Sequence, residues 1–226
     1  MMVTSNGGDQ DRIIPALGRK SLTWAYDFAI ALATREHKWR NRLAAAVAPG
    51  PEDKIVDLGC GTGTLAIMLK RRQPQAHIIG LDPDPEVLLI ARRKMERAGM
   101  IIELFRADAG QIAEIVKDPV DKIVSSLVFH HLALEKKQAT LKAIFTALRP
   151  GGGLYLADYG LQRSRLMRSL FSVVQTLDGF ETTQPNADGV LPQLMIEAGF
   201  EGVTEASALP TPTGSISFYE AHRPWK

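Results

Sequence analysis

The stretch "IVDLGCGTGTLAI", residues 55–67, decides the fold. It opens as an apolar, β-branched run, carries one acid at Asp57, and turns through Gly59, Gly61 and Gly63 before an apolar helical pattern resumes. A strand leading through a glycine-rich turn into a helix begins a ligand-binding α/β unit. Such turns usually cradle phosphates, and the dinucleotide fingerprint is G-x-G-x-x-G. Here the third glycine comes one residue early, and Thr64 occupies the place where that fingerprint needs glycine. Asp57 argues further against a diphosphate. Two unit charges about 4 Å apart interact by about 1 kcal/mol in water and about 4 kcal/mol at an effective dielectric near 20. A pyrophosphate beside Asp57 is repelled, whereas an ammonium or sulfonium is attracted.

Outward from this turn, short apolar runs alternate with helical patterns. The runs are "KIVDLG", "HIIGLD", "IELFRAD", "DKIVSSLV" and "GLYLADY". Between them lie "TLAIMLKRRQP", "DPEVLLIARRKMERAG", "AGQIAEIVKD" and "ALEKKQATLKAIFTALRPGG". The second of these has Asp84 as N-cap, Pro85 in its first turn and Gly99 just past its end. The alternation predicts a doubly wound, Rossmann-like α/β sheet of mostly parallel strands with helices on both faces. After the fifth run the rhythm breaks. "GLQRSRLMRSLFSVVQTLDGF" reads as an extra amphipathic helix, "ADGVLPQLMIEAGF" as another, and "EGVTEASALP" with "GSISFYEAHR" as a terminal strand pair. The domain plan is a disordered tail over 1–12 and a single domain over 13–226. Within it, 13–50 forms a helical lid and 160–182 a helical cap insert.

Acids top the first three strands. Asp82, followed by Pro83, ends the second strand nineteen positions after Gly63, where an acid accepts hydrogen bonds from a ribose diol. Asp108, followed by the small Ala109, ends the third, where a carboxylate can accept from an exocyclic adenine amine. The competing reading is that these acids are helix N-caps. Together the three describe a crevice for a ligand with a cation, a ribose and an adenine.

The bulk numbers set limits. The chain has 226 residues, 45% hydrophobic and 23% charged, with net charge +2. No Lys/Arg cluster is dense enough to track nucleic acid, and "RRKMER" reads as a solvated helix face. Cys60 is the single cysteine, which excludes an internal disulfide and a thiolate metal cluster. The polar N-terminus lacks a signal-peptide core, and no apolar run approaches the ~20 residues of a membrane span. A cytoplasmic location is expected.

"VDLGCGTG", "GLDPDPEVL", "RADAGQI", "VSSLVFHHL" and "LRPGGGLYLADYG" together resemble the class I S-adenosylmethionine-dependent methyltransferases. The N-terminal "YDFAIALATREHKWRNRLAAAV" resembles the first helices of the ubiquinone/menaquinone C-methyltransferase-like branch. The resemblance implies seven strands with an antiparallel last strand and S-adenosylmethionine as cofactor. It places Asp57 at the methionine amino end, Asp82 and Pro83 at the ribose, and Asp108 and Ala109 at the adenine. Gly59, Cys60, Gly61 and Gly63 form the turn against the cofactor, although Cys60 by itself reads as packing. Ser125 and Ser126 begin the stretch where this fold meets cofactor and acceptor, and Tyr26 is a lid residue. His130 and His131 are the candidate bases, since imidazole titrates near neutral pH; on adjacent positions at most one points inward. Methyl transfer from a sulfonium requires no metal, and none is expected. The apolar stripe Leu166, Met167, Leu170, Phe171 and Val174 implies a small aromatic or apolar acceptor. The alternatives are a nicotinamide-dependent oxidoreductase and a cofactor-binding accessory protein without turnover. The oligomeric state is open, a homodimer included.

Overall fold

The structure, a computed structural model, describes residues 36–226. The tail over 1–12, Tyr26 and most of the lid segment lie outside the described residues. The description begins with α1 (Glu36–Val47), which turns Trp39, Leu43, Ala44 and Val47 to one side and buries them. It ends where Ala48, at φ 42, leads into Pro49 and Gly50. The βα series follows: β1 (Lys54–Leu58), α2 (Thr64–Arg72), β2 (His77–Asp82), α3 (Pro85–Arg97) and β3 (Glu103–Arg106). Asp84 caps α3, its Oδ1 accepting from the Glu86 N–H at 2.7 Å. After β3 come a 3-10 turn (Ala109–Gln111) and α4 (Ile112–Ile115), then β4 (Val120–Ser126), a second 3-10 turn (Phe129–His131), α5 (Leu134–Ala147) and β5 (Leu148–Tyr159).

The remaining elements are α6 (Arg165–Asp178), α7 (Phe180–Ala187), α8 (Leu191–Glu197), β6 (Glu201–Thr211) and β7 (Gly214–His222). The seven strands form one sheet in the order β3-β2-β1-β4-β5-β7-β6. The first five are parallel, and β7 pairs antiparallel with both β5 and β6. The expected mostly parallel, seven-stranded sheet with a reversed last strand is the sheet observed.

The sheet is coated on both faces. Along β1, Ile55 enters one core cluster, with α1, α2 and Phe171, while Val56 and Leu58 enter the other, with α5 and α8. Full burial of a side chain of this size contributes about 1.5–3 kcal/mol, so an alternating run this apolar pins the register. The chain winds outward from β1 to β3 on one side and returns to place β4 on the other. The carboxyl ends of β1 and β4 therefore flank the point where the strand order reverses, where open α/β sheets bind ligands.

Three local readings are corrected. The helix read through "LRPGG" stops at Ala147, because Leu148 already pairs with Val120 and the Arg149–Gly152 stretch forms an irregularity in β5. The helix read over "AGQIAEIVKD" is only the 3-10 turn and the short α4, since Ile112 is its one fully buried anchor. The helix read through "LDGF" breaks at Gly179, φ 94, and α7 follows despite Pro185 within it.

Candidate active site

β1 carries Asp57 to the crevice on the α1/α2 face. Its side chain is completely buried, and among the described residues neither carboxylate oxygen has a hydrogen-bond partner. Burial pushes its pKa up to about 7, against the opposing pull of the Arg40 guanidinium on α1. The Ala66 N–H, in the first turn of α2, also favours the carboxylate without reaching hydrogen-bond geometry. A buried carboxyl left without donors is costly.

The turn beside it is tightly specified. The Gly59 and Cys60 N–H groups both donate to the Leu81 carbonyl, at 2.8 and 2.9 Å. At Gly59, φ 71, a Cβ would lie 2.1 Å from Val128 Cγ2, so a side chain is excluded by packing. At Gly61, φ 51, a Cβ would meet nothing within 4 Å among the described residues; the missing side chain leaves space there that a ligand can approach. Gly63 lets α2 lie against Ala91 and Met95 of α3. Cys60 is buried against Gly80, and burial drives its thiol pKa well up, so it serves as packing within the turn.

Asp82 is half-buried at the end of β2. Its Oδ2 accepts from the Gly61 N–H and its Oδ1 from the Asp84 N–H, both at 2.9 Å. Burial raises its pKa, and these two N–H groups oppose the rise. Asp82 thus shapes the turn, and each oxygen retains a second lone pair for a ligand. Asp108 is exposed at the head of the 3-10 turn, its N–H donating to Gln111 Oε1 at 2.9 Å. It occupies the N-cap position of that turn, so the capping reading applies to it in part. Pro83 is exposed and Ala109 half-buried beside these acids.

At the end of β4, Ser125 is buried, its hydroxyl donating to the Leu58 carbonyl at 2.8 Å, a tie between β4 and β1. Ser126 is half-buried. The two histidines diverge as adjacent residues must. His130 is buried, its Nδ1 2.8 Å from Asp158 Oδ1 and its Nε2 3.6 Å from Asp178 Oδ2. Burial alone would lower its pKa, but the Asp158 and Asp178 carboxylates reverse this and raise it to about 9. The His131 side chain is 47% exposed, with Nδ1 3.8 Å from Asp178 Oδ2. The charge on His130, 3.9 Å away ring to ring, holds its pKa below the ordinary histidine value.

Three further residues escaped the sequence reading. Asp158, buried in β5, accepts from the Val128 and Phe129 N–H groups (2.9 and 2.7 Å), from the Tyr159 N–H and from His130. It organises the whole loop after β4. Lys137 is buried, its Nζ donating to the carbonyls of Leu132 and Thr182, which ties α7 to that loop. Lys94, within the "RRKMER" face read as solvated, instead turns inward: its Nζ donates to Thr62 Oγ1 and Thr64 Oγ1 at 3.1 and 2.7 Å, and burial lowers its pKa. The clue was its place between Ala91 and Met95, the two buried residues of α3.

Residues 55–152 match a family model described as a methyltransferase domain. A demethylmenaquinone methyltransferase from Thermus thermophilus is 34% identical over 122 residues, 54% of this chain and 54% of its own. Over these residues the chain is similar to methyltransferase domains, those of the demethylmenaquinone methyltransferases among them. A second relative, a trans-aconitate 2-methyltransferase from Azoarcus sp., is 31% identical over 149 residues, 65% of this chain and 56% of the relative. The chain spans about half the length of these relatives. Among solved structures, a magnesium protoporphyrin IX methyltransferase from Synechocystis superposes with a TM-score of 0.63 at 17% identity, covering 83% of this chain and 79% of that chain. An O-methyltransferase family protein from Burkholderia thailandensis gives 0.64 at 15% identity, covering 88% and 59%. At such identities these structures establish the shared fold. Among the described residues, no helix is long and apolar enough to cross a membrane.

Proposed function

We propose that the protein binds S-adenosylmethionine in the crevice at the carboxyl ends of β1–β4 and transfers its methyl group to a small acceptor, aromatic or apolar, by in-line displacement. The observation that carries this reading is Asp57: a fully buried carboxylate without a hydrogen-bond donor among the described residues, beside the space at Gly61. The residues present fit the cofactor. Asp57 would take the methionine ammonium, and Arg40 stands near enough to sense Asp57 and to meet the methionine carboxylate. Asp82 would accept from the ribose hydroxyls and Asp108 from the adenine amine. A nicotinamide dinucleotide fits poorly, because its diphosphate would face Asp57.

When bound, S-adenosylmethionine supplies a methyl group on a sulfonium, an electrophile whose leaving group departs neutral. The chain's share of the catalysis is therefore alignment and exclusion of water, and positioning contributes about 7–11 kcal/mol in favourable cases. α6 and α7, inserted after β5, pack against the loop after β4 and the start of β7, with Phe171 beside Gly214. We assign them as the roof of the acceptor pocket. For an acceptor that carries a proton, His131 is the base: it is half-exposed and its lowered pKa leaves it neutral at pH 7. His130, a cation between two carboxylates, positions the loop. Of the proposed 13–50 lid the described part is α1, whose Arg40 acts on Asp57 through its charge. Truncation must stop before Glu36, because Trp39 and Leu43 belong to the core.

The test is a screen of small aromatic and apolar acceptors with S-adenosylmethionine, scored by methyl mass gain on the acceptor. Methylation of at least one acceptor, abolished in Asp57→Asn and slowed by removal of residues 1–35, is the expected result. Cofactor binding without turnover on any acceptor would favour an accessory role.

A further inference from the structure

We propose that His130, His131 and Asp178 form a binding site for one divalent transition-metal ion of the zinc type, at the junction of the β4 loop and the α6–α7 insert. One ligand atom from each of His130, His131 and Asp178 lies within 4.8 Å of the other two. Two of the separations are already 3.6 and 3.8 Å, both to Asp178 Oδ2. Metal–ligand bonds of about 2.0–2.2 Å place neighbouring ligand atoms about 3.3 Å apart, so closure needs only a small swing of the half-exposed His131 on its short turn.

The surroundings are those of a metal site. His130 gives its other ring nitrogen to Asp158, which is itself fixed by backbone N–H groups. A carboxylate that fixes the tautomer and ring orientation of a ligating histidine is the usual outer support of bound zinc. His130 and Asp178 are buried, with side chains 4% and 7% exposed, while His131 opens one side to solvent. Two imidazoles and one carboxylate select a first-row transition metal over magnesium or calcium, which prefer all-oxygen sets. Among the described residues, the Asp158 and Asp178 carboxylates and the Lys137 ammonium are charged groups that act on the two imidazoles, and a metal ion takes the place of the proton that His130 otherwise carries. Three protein ligands leave a fourth position for water or an oxygen of the acceptor. In that last role, which rests on the methyl-transfer reading, the metal would polarise the acceptor's oxygen and replace His131 as its activator. The binding itself is independent of that reading.

The test uses the untagged, full-length chain, stripped with a chelator and titrated with zinc(II) by calorimetry, and with cobalt(II) by visible absorption. The wild type should bind one zinc per chain, show cobalt d–d bands, and ignore magnesium at the same concentration. His131→Ala and Asp178→Asn should each weaken zinc at least tenfold and erase the bands. His77→Ala, an exposed histidine on β2, should change neither. Absence of saturable zinc binding in the wild type, equal binding by magnesium, or undiminished zinc binding in both variants would overturn the site. None of these readouts requires S-adenosylmethionine, so failure here leaves the methyl-transfer reading standing, and the reverse.

Discussion

Replacing Asp57 with asparagine should change stability and cofactor affinity in opposite directions. In the folded chain burial raises the Asp57 pKa from 3.8 to about 7. A carboxyl whose folded pKa lies above its unfolded value destabilises the protein increasingly as pH rises through that interval, and the loss levels off above the folded pKa. About three pH units at 1.36 kcal/mol each give about 4 kcal/mol in full, of which about 2.5 kcal/mol develops between pH 5 and pH 8. The substituted side chain does not titrate. Its buried amide costs a pH-independent amount, which cancels when the stability difference between variant and wild type is followed across pH. Urea unfolding at pH 5, 6, 7 and 8, without cofactor, should therefore show Asp57→Asn gaining about 2.5 kcal/mol relative to wild type from the lowest to the highest pH. Over the same series the variant should lose S-adenosylmethionine affinity by at least tenfold, the worth of one charge-assisted hydrogen bond. A stability difference that is flat with pH would show that Asp57 is ionised and satisfied without a ligand, and would refute the reasoning.

The two turn glycines should separate folding from binding. Gly61→Ala should lose about 1–2 kcal/mol of stability from its left-handed backbone and bind S-adenosylmethionine at least tenfold more weakly. Gly59→Ala, driven into Val128, should fail to accumulate as folded protein; thermal melts and calorimetry compare them. Asp158→Asn should cost about 3–5 kcal/mol in urea unfolding, since it breaks a buried ion pair and leaves one oxygen for the three backbone N–H groups that Asp158 holds. His130, with a folded pKa of about 9 against 6.5, should contribute about 3 kcal/mol that is fully present below pH 6.5 and lost as pH rises through 9. In chelator, the imidazole NMR signals of His130 should still report the protonated ring at pH 8. A neutral ring at that pH would contradict the assignment.

The parts of the site legible in the sequence are those written locally. Asp57, Gly59, Gly61 and Gly63 fall within one strand-turn-helix passage, and the polarity of each is judged against immediate neighbours. The terminal strand pair was legible because β6 alternates exposed and half-buried residues along most of its length. The His130–Asp158–Asp178 cluster was not. His130 signalled itself as a titratable group in a loop, but its partners lie 28 and 48 positions away, and Asp158 looks like one polar residue inside an apolar strand. Lys94 was hidden by its neighbours, because four cations in "RRKMER" suggest a solvated face while only the packing of α3 shows that one of them turns inward. α7 was missed because Pro185 argues against a helix interior, yet helical backbone forms on both sides of it.

The most direct measurement is calorimetric titration of the full chain with S-adenosylmethionine and, in parallel, with NADH. The account predicts saturable binding of one S-adenosylmethionine per chain, weakened at least tenfold in Asp57→Asn and in Asp82→Ala, and no measurable heat from NADH. Tight NADH binding, or S-adenosylmethionine affinity indifferent to both substitutions, would contradict it.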